Sequence, residues 1–239
     1  MKEAVKHLAC ALYGALLPDE QARKLAFAHR LRRLFAQYRI DTVIDVGANL
    51  GQFRDFLRNG VGFKGHIDSF EPLPELCEQL KIRAAKDKNW TVHPCALGAE
   101  VGHTSINVTE LSVFSSIRTP KKTGSPQDQM NTVVKKLTVP ISTLDAQYSK
   151  KRDLSHAYLK LDTQGFDLEV VAGGSQKLAE IPLLQTEVSI RPFYEEMPTY
   201  IESIKAFEKR GFAIADLFLV SSDDKKRAME FDCVMVRAN

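Results

Sequence analysis

The chain has 239 residues, 44% of them hydrophobic and 26% charged, with a formal net charge of +3 and a pI near 8.6. That is the balance of a globular α/β domain with a sizeable core, and no apolar run approaches the roughly 20 residues that a membrane-spanning helix needs. The mild basicity does not by itself demand a nucleic-acid partner. Clusters such as Lys121-Lys122, Lys135-Lys136 and Lys225-Lys226-Arg227 read as solvated faces and loop tips. The cysteines Cys10, Cys77, Cys95 and Cys233 are scattered without a CxxC pair. This spacing suggests neither a zinc cluster nor a redox motif and points to a reduced, cytoplasmic setting.

In chain order, residues 1–40 predict two helices separated near Pro18, a helical cap on a domain spanning 41–239. The apolar run Leu8 to Leu17, after Lys2 and Lys6, faintly imitates a signal peptide but lacks a small-x-small cleavage site. An N-terminal helix is the preferred reading, with association at a membrane surface as the alternative. In the second helix Leu31, Leu34, Phe35 and Tyr38 share a face, with arginines opposite. From Thr42 the period changes. Thr42 to Val46 is a continuously apolar strand of the kind found in parallel sheets covered on both faces, and a helix to about Asn59 follows. Further strands are expected at Gly65–Phe70, Trp90–Pro94, Ala157–Leu161 and Leu183–Ser189. Helices should start at Pro74, run from Phe166 to Leu178, and run from Thr199 to Arg210 before Gly211. Phe212–Val220 and Asp232–Arg237 form a closing hairpin. The alternation defines a Rossmann-like, doubly wound, seven-stranded, mostly parallel sheet with an antiparallel C-terminal hairpin. Between about 98 and 155 lies an insertion, with a short strand pair (Thr104–Asn107 and Leu137–Val139) around a polar loop from Thr119 to Lys136.

In such a sheet, ligands bind beyond the carboxyl ends of the strands at the topological switch point. Asp45-Val46-Gly47-Ala48-Asn49-Leu50-Gly51 stands there. Gly47 allows a sharp turn and close approach of a ligand, and Gly51 lets the next helix start against the sheet. The helix N-terminus suits a carboxylate, and Asp45 suits an amino group. Glu71, at the tip of the second strand, is placed to accept hydrogen bonds from ribose hydroxyls. Pro72 and Leu73 would flank an adenine, with Ala96 and Leu97 on its other side. A dinucleotide site needs G-x-G-x-x-G, and the central glycine is missing. The combination favours S-adenosylmethionine (SAM), held by Asp45, Gly47, Ala48, Asn49, Gly51, Gln52, Glu71, Pro72, Leu73, Ala96, Leu97 and Asp162.

The sequence at this point resembles the FkbM family of methyltransferases. The resemblance rests on Ile44 to Gln52, on Ser69-Phe70-Glu71-Pro72-Leu73, on Cys95-Ala96-Leu97-Gly98, on Leu159 to Gly174 and on Phe231 to Arg237, all in the family's order. It implies SAM-dependent O-methylation of hydroxyls on sugars, glycolipids or related natural products. One departure lies in the insertion. Related sequences often carry an asparagine-and-serine-rich segment there, and Ser112-Val113-Phe114-Ser115-Ser116-Ile117 matches it only in part.

Methyl transfer to oxygen needs an aligned nucleophile and an acceptor for its proton. Asp162 ends the fourth core strand where a substrate oxygen would meet the methyl group. Lys160, two residues earlier, lies on the same side, where pairing would keep Asp162 ionised. Glu187 ends the next strand. The pair could hold a divalent cation such as Mg2+ or act directly as a base; alternatively, Glu187 pairs with Arg191. His93, at a strand end, is a third candidate base. Ser115 and Ser116 are candidates for substrate contact, and Phe193 and Tyr194 for a pocket wall. The acceptor expected is a small-molecule hydroxyl, with nucleic acid disfavoured because no aromatic-basic RNA-binding module is visible. An RNA methyltransferase and a catalytically silent SAM-binding scaffold are the alternatives. Edge strands and the N-terminal helices leave room for a homodimer.

Overall fold

The computed structural model describes residues 19–122, 131–149 and 152–238. The first expected N-terminal helix and the centre of the polar loop lie outside these residues. The second helix, α1 (Asp19–Gln37), leads into β1 (Thr42–Val46). A single helical turn α2 (Gln52–Asp55) continues into a wider π-helical turn over Phe56–Val61, ended by Gly62 in the left-handed region. Then come β2 (His66–Phe70), α3 (Pro74–Ala84, with proline in its first turn) and β3 (Trp90–His93).

The insertion holds β4 (Ala96–Leu97), β5 (Gly102–Thr109) and β6 (Val133–Ser142). They form a small sheet ordered β4-β6-β5, with β5 and β6 antiparallel. The expected strand pair is therefore longer than its apolar residues suggested. Lys135 and Lys136, expected in the loop, sit in β6, whose first four residues are exposed on both faces of the strand. The chain resumes with α4 (Leu144–Gln147), β7 (Ala157–Leu161), α5 (Asp167–Ala172), α6 (Lys177–Glu180), β8 (Leu183–Ser189), α7 (Tyr200–Glu208), β9 (Phe212–Ser222) and β10 (Ala228–Arg237). The single helix expected over 166–178 is two. The chain turns at Gly173-Gly174, where a side chain on Gly173 would collide with the Gly98 carbonyl and one on Gly174 with Leu144. Close packing against the insertion overrides the helical period there.

Seven strands form the main sheet in the order β3-β2-β1-β7-β8-β10-β9, parallel except for β10, which runs antiparallel to β8 and β9. β1 and β7 are buried along their whole length. On one face Ile44, Val46, Leu159 and Leu161 pack with Val170, Val171 and Phe207. On the other, Val43 and Tyr158 meet Leu31, Leu34 and Phe35 of α1. The face read from α1 is thus its core face, with Phe35 5.0 Å from the Tyr158 ring and Phe27 4.6 Å from Phe218 of β9. No helix among the described residues is long and apolar enough to cross a membrane.

Candidate active site

Strand order reverses between β1 and β7, and a cleft of about 920 Å³ opens at their carboxyl ends. Its first wall is the turn after β1. Gly47 and Ala48 donate their N–H groups to the Phe70 carbonyl, each at 3.1 Å. Gly47 has φ +81°, and a Cβ there would strike the carbonyl oxygen of Asp162. Only glycine lets this turn pass beneath the end of β7. Gly51 is also left-handed, and a side chain on it would press on Leu80 and Trp90, so its role is to seat the turn against α3.

Glu71 is almost fully buried at the end of β2. Its carboxylate accepts one N–H from Asn49 and one from Leu73, both at 2.8 Å. Burial pushes the carboxyl up to about 7 against the pull of those two hydrogen bonds. Pro72, Leu73, Ala96 and Leu97 supply a largely apolar wall beside it. Gly47, Ala48, Asn49 and Gln52 complete this half of the cleft. The Asn49 amide also donates to Ser112 Oγ at 3.1 Å, tying the insertion to the turn.

Asp45 and His93 stand elsewhere. Asp45 is 0% exposed and does not line the cleft. It lies 3.2 Å from Lys160 Nζ and accepts a long 3.4 Å bond from Ser69 Oγ. His93 turns away from the cleft to stack on Phe70, with Nε2 3.0 Å from Asp68. There it joins Tyr148 and Arg152 around a second, smaller cavity. Asp45 is covered by Lys160 and His93 by Phe70, both of which line the cleft, so each stands one side chain behind its wall.

The far half of the cleft is acidic. Lys160, buried between β1 and β7, also reaches Asp162 Oδ2 at 3.1 Å. Burial opposes its charge, but Asp162 and Asp45 outweigh it and hold the ammonium protonated. Asp162 and Glu187 both line the cleft and are joined by the side-chain amide of Gln164 at 3.1 and 3.4 Å. Glu230 and Asp232 enter from β10, where Asp232 is the register partner of Glu187. Burial and then repulsion from Asp162, Glu230 and Asp232 push the Glu187 carboxyl well up. Burial likewise raises Asp232 to about 6, opposed by a bond from Gln185. Glu187 makes no ion pair with Arg191 among the described residues, nor do three His, Cys, Asp or Glu side chains come together there to hold a metal ion. The expected cation site therefore gains no support from the geometry; an amide occupies the gap between the two carboxylates.

Phe27 of α1 and Phe218 of β9 wall this half, while Phe114 and Ser115 of the insertion roof it. Ser116 Oγ donates to the Gln164 carbonyl at 3.1 Å, and Arg118 Nε to that of Gly165 at 2.6 Å. Tyr194, a candidate wall residue, lies beneath this roof with its hydroxyl 3.0 Å from both Phe114 O and Gln164 Oε1. Gln164, Glu230 and Asp232 were not named as site residues from the sequence. Only the position of Gln164, two residues after Asp162, carried any local signal.

The sheet order, the glycine turn and the strand-end carboxylates define a Rossmann-like fold of the class I methyltransferase type. The sequence model for the FkbM methyltransferase domain matches residues 45–214, and the chain belongs to that family. An FkbM methyltransferase from Methylobacillus flagellatus KT shares the fold at 14% identity with a TM-score of 0.51. The match covers 82% of this chain but 43% of that one, so this chain corresponds to less than half of its length. Magnesium protoporphyrin IX methyltransferase from Synechocystis PCC 6803 with bound SAM matches at 11% identity and a TM-score of 0.49, covering 92% and 82%. An rRNA methylase from Streptococcus thermophilus matches at 11% and 0.47, covering 88% and 96%. No curated protein matches the chain in sequence.

Proposed function

We propose that the chain is a SAM-dependent O-methyltransferase acting on a hydroxyl of a sugar, glycolipid or related small molecule in a cytoplasmic setting. The observation that carries this reading is the continuity of the cleft from Glu71 and the Gly47 turn to Asp162 and Glu187. The near half suits an adenosine: a carboxylate for two ribose hydroxyls beside an apolar slot. SAM would supply a sulfonium methyl group. Asp162, at the end of β7, would face the acceptor hydroxyl and take its proton as the new O–C bond forms and the S–C bond breaks. The aromatic walls at Phe27 and Phe218 would pack against a sugar face, and the insertion roof would limit water. In the far half the carboxyl groups of Asp162, Glu187, Glu230 and Asp232 outnumber the cations Arg23, Lys24 and Lys160, which is a poor lining for a phosphate-rich RNA acceptor.

Calorimetric titration with SAM and with NAD tests the cofactor half, and methyl transfer to a panel of glycosides and glycolipids tests the other. Glu71→Ala should weaken SAM binding by about tenfold or more, the scale of hydrogen bonds to a charged group. Asp162→Ala should keep SAM binding and lower turnover by roughly 10²–10⁴. Loss of SAM affinity with intact turnover in Asp162→Ala would reverse the assignment.

A further inference from the structure

The amide between the two carboxylates is held there by more than chance packing. Gln164 has φ +54°, a left-handed backbone that is strained for a residue with a long side chain, and Gly165 follows at φ +86°. Glycine at position 164 would satisfy the turn at no steric cost. The glutamine side chain, however, is fully engaged. Nε2 donates to Asp162 Oδ1 at 3.1 Å and approaches Glu187 Oε2 at 3.4 Å, while Oε1 faces the Tyr194 hydroxyl at 3.0 Å. The orientation follows from its neighbours: reversed, the amide would set its oxygen against Asp162 Oδ1 and lose the acceptor for the Tyr194 hydroxyl. Tyr194 is buried, burial beside Glu187 keeps its phenol protonated, and its single proton is shared between Gln164 Oε1 and the Phe114 carbonyl. The remaining Asp162 oxygen lies against Lys160.

We propose that Gln164 is a positioning residue of the transfer site: its side-chain amide, clamped by Tyr194, holds the carboxyl groups of Asp162 and Glu187 side by side at the acceptor end of the cleft. This rests on the reading of the cleft as a methyl-transfer site. Gln164 makes and breaks no bond. It supplies one neutral donor shared by Asp162 Oδ1 and Glu187 Oε2, while Asp162 Oδ2 is held by Lys160. Because that donor comes from a loop strapped to the insertion through Ser116 and Arg118, the carboxylate geometry is tied to the roof above it.

The test uses the full chain with carbon-13 glutamate labelling. The side-chain carboxyl resonance of Glu187, assigned by Glu187→Gln, is followed across pH in the wild type, Gln164→Gly, Gln164→Glu and Tyr194→Phe, with SAM calorimetry on each. Glycine preserves the left-handed turn and removes only the amide. A donor favours the ionised form, so its loss should move the Glu187 midpoint upward by about one pH unit. Gln164→Glu adds a like charge and should move it further. Tyr194→Phe should give a smaller shift of the same sign. SAM affinity should stay within about threefold, since Glu71 and the Gly47 turn are untouched. A Glu187 midpoint in Gln164→Gly within about 0.2 units of wild type would overturn the proposal. If that variant does not fold, an unmoved midpoint in Tyr194→Phe overturns it instead. Failure of the wild type to bind SAM strikes the methyl-transfer reading alone, and a shifted midpoint would still establish the amide coupling.

Discussion

Lys160 is where the two halves of the cleft meet. It is 5% exposed, and its ammonium lies between Asp45 and Asp162 at 3.2 and 3.1 Å. Asp45 therefore acts on the cleft through Lys160, beneath the turn that the ligand would touch. Glu71 is the residue whose charge state the proposed ligand must change. With its carboxyl near 7 in the folded chain, the group is largely protonated at pH 6 and largely ionised at pH 8. Ribose hydroxyls would donate to the ionised form, so binding below pH 7 must release a proton. SAM affinity should rise with pH up to about 7, by at most about tenfold per unit, and level off above it. Calorimetry between pH 6 and 8, in buffers of different ionisation enthalpy, reads both the affinity and the proton release. Glu71→Gln should remove both, and a flat wild-type profile would mean that Glu71 meets no donor from the ligand. The same shift bears on stability. The folded chain holds a proton on Glu71 between its ordinary 4.5 and about 7 that the unfolded chain has lost, so this contribution falls as pH rises through that window.

Individual elements divide into those that local sequence determines and those that tertiary contacts determine. α7 belongs to the first kind. Its Thr199 side chain accepts from the Glu202 N–H, and Glu202 returns a bond to the Thr199 N–H at 2.8 Å, a complete capping box. Thr199→Ala should cost about 1 kcal/mol in urea unfolding and leave SAM affinity unchanged, because the cap lies outside the cleft. A change in affinity there would mean that α7 moves with the site. β1 and β7 were likewise legible as mostly apolar runs of strand length, and the Gly47 turn and Glu71 stand just past the ends of β1 and β2. The acceptor half was less legible for a physical reason. Gln164, Glu187, Tyr194 and Asp232 come from four separate stretches, and only the packing of β8 on β10 and the fold of the insertion bring them together. Asp45 and His93 show the converse limit: sequence placed them near strand ends, but the direction of each side chain depends on neighbours, Lys160 and Asp68, that no local pattern reveals.

At the scale of the molecule, the family match at 45–214 covers the cofactor half of the cleft but leaves out much of the acceptor half. Arg23, Lys24 and Phe27 come from α1, Phe218 to Ser221 from the end of β9, and Glu230 and Asp232 from β10, all outside the matched span. Ligand-dependent stability of the whole molecule reads the cofactor independently of the acceptor. The cleft touches both faces of the sheet through the Gly47 turn and α1, so a ligand that bridges these parts should raise the temperature of global unfolding. SAM present at about 100 times its Kd should add about 2.7 kcal/mol. For a domain of this size that is a shift of about 5–10 °C. NAD should give none, because its pyrophosphate would need a glycine where Asn49 stands. A thermal shift with NAD in place of SAM would return the Gly47 turn to the dinucleotide-binding class and remove the reading of Asp162 as a methyl-transfer residue.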